Sequence, residues 1–168
     1  MLYVLFVVRV RMTKLTHTAD RSRPSAASGA LRRGVKALVS TGGAVLLVRE
    51  EHDDGSAFWT LPGGGLRPSE SPAAGLRREL REELGCAVVV GRRTGRVWYA
   101  HHSRPDTLSS YDVYDCAVAS AVEPNPAEGA LEARWVAVDD LPPRTLPQVR
   151  SLVGRHDRGR GRPSAAAD

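Results

Sequence analysis

The chain has 168 residues, 42% of them hydrophobic and 26% charged, which suits one soluble globular domain with tails and enough length to bury a core. Its net charge of +5 sits at the ends: residues 1–33 hold seven Arg/Lys against one Asp, and residues 150–168 hold five Arg against two Asp. Residues 34–149 keep sixteen acidic against twelve basic side chains, an acidic body that argues against a nucleic-acid-binding face on the domain.

The chain opens on MLYVLFVVRVRM, whose apolar run from Met1 to Val8 stops at Arg9, well short of the ~20 residues that span a bilayer. No basic stretch precedes it, as a secretory signal requires. It reads as a loosely attached extension, with Met12 as an alternative start, and no membrane partner is expected. ADRSRPSAASGALRRG follows with too little apolar surface to fold, so residues 1–33 are expected to be a flexible extension. A domain over 34–154 and a disordered basic tail over 155–168, RHDRGRGRPSAAAD, complete the expected organisation. An Arg-Gly tail also admits RNA or acidic surfaces as a minor alternative.

Within the domain, VKALVS and AVLLVRE read as two β-branched strands joined by a turn at Gly42-Gly43. EHDDGS is a polar loop, and FWTLP is a short strand stopped by Pro62. CAVVV and VWYAHH read as two strands separated by the turn-rich GRRTGR. SSYDVYDCAVASAV is a long extended segment, EPNPAEGA a loop, LEARWVAV a further strand, and a helix is expected after Pro147. Cys86 and Cys116 lie in apolar surroundings without metal-type spacing and read as buried free thiols, which fits a reducing cytoplasm.

The densest chemistry lies in GGGLRPSESPAAGLRRELREELGC, residues 63–86. Ser71 can cap a helix there, Pro72 fits its first position, and Gly85 supplies a left-handed stop. At 100° per residue Leu76, Leu80 and Leu84 form an apolar stripe, while Glu79, Glu82 and Glu83 fall on a neighbouring arc about 100° wide. Like charges at this spacing destabilise a helix by about 0.2–0.5 kcal/mol per pair. Arg78 offsets part of this as an i,i+4 partner of Glu82, so RRELREEL alone also reads as an ordinary salt-bridged surface helix. The preceding FWTLPGGG alters the weighing. Its glycines let backbone approach a ligand and leave carbonyls to coordinate, and a hard divalent cation takes oxygen ligands that bridge carboxylates to phosphates.

This segment resembles the Nudix box. Gly64, Glu70, Arg78-Glu79-Leu80-Arg81-Glu82-Glu83-Leu84 and Gly85 stand at that motif's spacing, with only Cys86 where the family usually has an aliphatic residue. AVLLVRE, WTLPGG and RWVAVDDLP resemble the flanking segments, so the similarity spans roughly residues 34–150. It implies an α/β Nudix fold, an α/β/α sandwich with a mixed sheet in which the box forms a loop–helix–loop. By the same resemblance, Glu79, Glu82 and Glu83 bind Mg²⁺ or Mn²⁺ with a carbonyl of Gly63 or Gly64, and Glu70 pairs with Arg78 to hold the loop on the helix.

The implied activity is metal-dependent hydrolysis of a phosphoanhydride in a small nucleotide: a nucleoside triphosphate, ADP-ribose or a nucleotide sugar. A module of the same family that binds a nucleotide without turning it over is the alternative. Glu82 is the first choice of general base, and Glu128 and Glu132 are the candidate acids from a later loop. Trp59, Trp98, Tyr99, Tyr111 and Tyr114 are candidates for stacking on a base, though buried aromatics are more often core. Arg92, Arg93, Arg96 and Arg104 are candidates for distal phosphates, with solvated turns the simpler reading. His101 and His102 point to opposite faces of a strand and do not share a metal. Neither composition nor motif excludes a homodimer.

Overall fold

The computed structural model describes residues 30–100 and 107–160; the expectations for Met12 and the rest of 1–29, for His101, His102 and Arg104, and for 161–168 lie outside them. Six strands and two helices follow one another as β1 (Ala30–Thr41), β2 (Ala44–Glu51), β3 (Ala57–Thr60), α1 (Pro72–Leu84), β4 (Val88–Ala100), β5 (Thr107–Val118), β6 (Glu132–Ala137) and α2 (Pro147–Arg160), with a 3-10 turn at Pro126–Glu128 before β6. The sheet runs β3-β2-β1-β5-β4, with β6 also on β2. Among the described residues β1 and β5 are the one pair of strands in parallel, so the sheet is mixed, as the α/β expectation requires.

Each face of the sheet carries one helix. Leu76, Leu80 and Leu84 of α1 are fully buried against Val35, Ala37, Val39, Leu46 and Val48. On the other face Val149, Leu152 and Val153 of α2 pack with Leu38, Val45, Leu47, Val97 and Val113. Strands covered on both sides lose the polar alternation of a half-solvated strand, which is why VKALVS and AVLLVRE are almost continuously apolar. Cys86 and Cys116 are free and buried; burial raises both thiols, Cys116 to about 11.

β1 and β2 share only two residue pairs, Ser40 with Val45 and Thr41 with Ala44, beside the Gly42-Gly43 turn. β1 then leaves β2 and runs along β5 from Ala30 to Val39, while β2 pairs with β3 and β6. The sheet therefore opens into two wings joined at the hairpin.

Three details differ from the sequence reading. GRRTGR does not turn: β4 is one strand from Val88 to Ala100, with register shifts between Val90 and Arg93 and between Arg93 and Gly95. Bulges absorb the glycines that suggested a reversal. Residues 30–33 lie in β1, paired with residues 107–110, although their composition groups them with the extension. Residues 155–160 continue α2, where His156 lies 3.4 Å from the Ser40 hydroxyl. Among the described residues no helix is long and apolar enough to cross a membrane.

Candidate active site

Where β1 leaves β2, its freed edge is taken up by the glycine loop. The N–H groups of Val35 and Ala37 donate to the carbonyls of Gly64 and Pro62, each at 2.9 Å, and Leu66 N–H donates to the Arg33 carbonyl at 3.0 Å. This lays residues 62–66 flat between β1 and α1. Two glycines make that approach feasible. Gly63 has φ of 117°, and a Cβ on it would lie 2.5 Å from the Val35 carbonyl oxygen. A Cβ on Gly64 would lie 2.5 Å from Glu79 Oε2, so any side chain there displaces either loop or carboxylate.

Helix α1 then projects its acids at the loop. Ser71 caps it by accepting from Ala74 N–H, Pro72 opens it, and Gly85 closes it at φ of 61°. At 100° per residue Glu83 stands about 20° from Leu76, Glu79 about 60° and Glu82 about 120°. Exposure follows that order: 8% for Glu83, 14% for the Glu79 side chain and 32% for the Glu82 side chain.

Arg78, itself buried, binds most of this group. Its Nε and Nη2 donate to the two oxygens of Glu70 at 2.8 and 2.7 Å, Nη1 donates to Glu79 at 2.7 Å and Glu82 at 3.0 Å, and Nη2 also donates to the Gly65 carbonyl at 3.0 Å. A guanidinium presents its donors in a fixed planar fork, so one side chain ties loop to helix. Hydrogen bonds from Arg78 and from Arg67 N–H hold the Glu70 carboxyl down at about 2. Glu83 moves oppositely: burial pushes it up to about 7, against the pull of Lys36 and of the Gly63 N–H, which donates to it at 2.9 Å.

The structure thus brings Gly63, Gly64, Glu70, Arg78, Glu79, Glu82 and Glu83 into one cluster. Among the described residues, however, no three His, Cys, Asp or Glu side chains converge closely enough to chelate a metal ion as they stand; Arg78 donates to Glu79 and Glu82, Arg67 to Glu82, and the Gly63 N–H to Glu83. The donor set still fits a hard divalent cation. It consists of oxygens, and the buried Glu83 carboxylate gains from added positive charge.

The later loop seals the C-terminal end of α1. Glu123 N–H donates to the Leu84 carbonyl and Asn125 N–H to the Glu83 carbonyl, both at 2.8 Å, and Asn125 Nδ2 donates to the Glu82 carbonyl at 3.2 Å. Glu128 sits on the exposed 3-10 turn of this loop. Glu132 does not: it opens β6, between Arg49 and Arg134. Arg93 and Arg96 pair with Asp112, and Arg92 is exposed.

Between the two wings of the sheet lies a cleft of about 880 Å³, with Lys36, Glu50, His52, Phe58, Tyr99 and Tyr111 among its lining residues. Of the five candidate aromatics, Tyr99 and Tyr111 face this cleft. Trp59 belongs to the α2-side core, Tyr114 packs on the α1-side core, and Trp98 is 48% exposed. Sequence reasoning missed His52 and Phe58, whose rings stack at 4.1 Å, with Tyr99 hydroxyl 3.0 Å from His52 Nδ1. It also missed Lys36, although a single lysine inside an apolar strand was a visible signal.

A glycine loop clasped to a carboxylate-bearing helix beside a cleft is what the box resemblance implies, and a family model for the NUDIX domain matches residues 30–155. The chain belongs to the Nudix family. Nucleoside triphosphatase NudI of Escherichia fergusonii is 32% identical over 114 residues, covering 62% of this chain and 80% of that protein. The crystal structure of MutT protein from Methanosarcina mazei matches with a TM-score of 0.67 at 26% identity, covering 79% of this chain and 96% of that one. An ADP-ribose pyrophosphatase from Streptococcus suis matches with a TM-score of 0.55 at 24% identity, covering 76% of this chain and 92% of that one; at that identity the likeness is one of fold. The protein is accordingly a Nudix hydrolase, an enzyme of phosphoanhydride hydrolysis.

Proposed function

We propose that this Nudix hydrolase is a divalent-metal-dependent pyrophosphohydrolase, acting on a nucleoside diphosphate linked to a further group, with nucleoside triphosphates first and ADP-ribose or a nucleotide sugar second. One observation carries the reading: Glu79, Glu82 and Glu83 share the edge of α1 that meets the glycine loop, beside a cleft of nucleotide size. The similarity to a nucleoside triphosphatase supports the order of substrates.

Glu79, Glu82 and Glu83 would hold Mg²⁺ or Mn²⁺ with a carbonyl of Gly63 or Gly64; of these the Gly64 oxygen already accepts one hydrogen bond, from Val35, and keeps its second lone pair. Held there, such a cation would supply charge neutralisation at the phosphates and a water of lowered pKa. Glu82 is the most exposed of the three and so reaches incoming water; it takes the water proton as general base, a role that requires hydrogen-bond or one-water reach. Glu70 and Arg78 keep the loop on the helix, and Glu128 is the reserve acid from the later loop.

The test is turnover of a panel of nucleoside triphosphates, ADP-ribose and nucleotide sugars in Mg²⁺, by the native protein and by Glu82→Gln. Loss of a general base costs roughly 10²–10⁴-fold in rate, and the variant is expected to fall in that range with unchanged melting temperature. A nucleotide that binds and yields no product from any panel member overturns the enzyme in favour of the sensing module.

A further inference from the structure

The cleft floor holds one buried ammonium that the box does not account for. Lys36 is 8% exposed, its Nζ lies 3.2 Å from Glu50 Oε1, and it stands 5.5 Å from the centroid of the Tyr111 ring. Tyr111 in turn lies across Gly34, where a Cβ would be 2.4 Å from the ring, so ring and ammonium are fixed together as one surface of the cleft.

This surface adjoins the carboxylate edge. A Cβ on Gly63 would lie 3.1 Å from the Lys36 Cα, and the same Gly63 donates its N–H to Glu83. Burial draws the Lys36 ammonium down, but Glu50, Glu83 and Tyr111 together leave it above its ordinary value, so it is charged. Beyond it the cleft continues to Tyr99, His52 and Phe58. Lys36 thus adjoins both the Gly63–Glu83 contact and the lining that holds the aromatic side chains.

Stability alone gives poor reason for the pair. A buried Lys–Glu bridge loses hydration on both partners, and apolar residues of similar volume usually serve the fold as well or better. Among the described residues the other charged side chains lining the cleft are Arg32, Glu50, Glu51, Asp53 and Asp54; the Lys36 ammonium, with three donors of which Glu50 engages one, is the buried group suited to a phosphate oxygen.

We propose that Lys36 binds substrate phosphate on the nucleoside side of the bond that is cleaved, and that Glu50 holds the ammonium in place and competes with that phosphate for it. This rests on the nucleotide reading of the cleft given above.

The assignment makes the two partners act in opposite directions. Steady-state kinetics on the nucleoside triphosphate turned over best are compared for the native protein, Lys36→Met, Lys36→Arg and Glu50→Gln. In parallel, AMP, GMP, CMP and UMP are titrated in EDTA, following the lysine side-chain NMR signals of the native protein.

Lys36→Met is expected to raise KM by about tenfold, the worth of one charge-assisted hydrogen bond, with kcat changed far less. Lys36→Arg is expected to recover most of the loss, and Glu50→Gln to lower KM. In the native protein the Lys36 signal is expected to shift with the mononucleotides. A rise in KM in both Lys36→Met and Glu50→Gln assigns the pair to structure and overturns the proposal, as does an unmoved Lys36 signal. If no panel member is hydrolysed, the enzymatic reading fails by itself, and the EDTA titration still decides Lys36.

Discussion

Glu70, in the loop before α1, and Glu83, on α1 itself, are the same residue type in opposite electrostatic states. Toward the loop, Glu70 meets the planar fork of Arg78 and its carboxyl is held at about 2. Toward the sheet, Glu83 is buried and pushed up to about 7. Both are fixed by one hydrogen-bonded partner or more, so contact alone does not set the state of an acid; what decides is the balance of burial against opposing charge, Arg78 bonding directly to Glu70 while the burial of Glu83 outweighs the pull of Lys36. The loop edge is built as a fastener. The sheet edge is built as a place where added positive charge is welcome.

The largest way to break the contrast is to remove the fastener. Arg78→Met leaves Glu70 and Glu79 facing each other without a cation, and removing one partner of such a charge network destabilises the fold because the other charges are left unpaired. Chemical denaturation is expected to show that loss, with the glycine loop becoming susceptible to proteolysis. Next is the apolar stripe common to both edges: Leu80→Ala is expected to cost about 2–5 kcal/mol, and Leu152→Ala on α2 a comparable amount, since both are buried on opposite faces of one sheet. A much smaller loss at Leu152 would show that the α2 layer is not part of the same cooperative unit.

The two acids themselves give opposite pH slopes. Glu70 has its pKa depressed in the fold, so its stabilisation is present above the ordinary 4.5 and is lost as pH falls from there through about 2. Glu83 has its pKa raised, so in EDTA the folded state is favoured below 4.5 and loses that advantage as pH rises to about 7. Melting curves across pH 2–8 are expected to show both limbs, with Glu70→Gln abolishing the acid limb and Glu83→Gln flattening the neutral one. Identical curves for native protein and Glu83→Gln would sink the account of that buried acid. The smallest effect is local: Ser71→Ala removes the cap on Ala74 N–H and is expected to cost about 1 kcal/mol.

How much of this the letters disclosed depends on distance along the chain. Helix α1 was legible to the residue, because Ser71, Pro72 and Gly85 act on backbone within one turn of themselves. The Glu70–Arg78 pair was legible through the box resemblance. The cleft was not, since Lys36, Glu50, Phe58 and Tyr111 come from four strands whose convergence depends on β1 parting from β2. β4 was misread as two strands because Gly91 and Gly95 signal reversal and bulge alike. The parallel register of β1 on β5, which draws residues 30–33 into the sheet, has no local signature at all.

That parting of β1 from β2 has a mechanical corollary. Ten residue pairs bind β1 to β5 and six bind β2 to β6, but only two tie β1 to β2. Amide protons along the long ladders should therefore exchange with solvent more slowly than those at the seam. Across the cleft the wings are laced instead by the hydrogen bonds of residues 62–66 to β1, the Lys36–Glu50 pair and the Tyr99–His52 contact, so side chains and loop, not ladder, set its width.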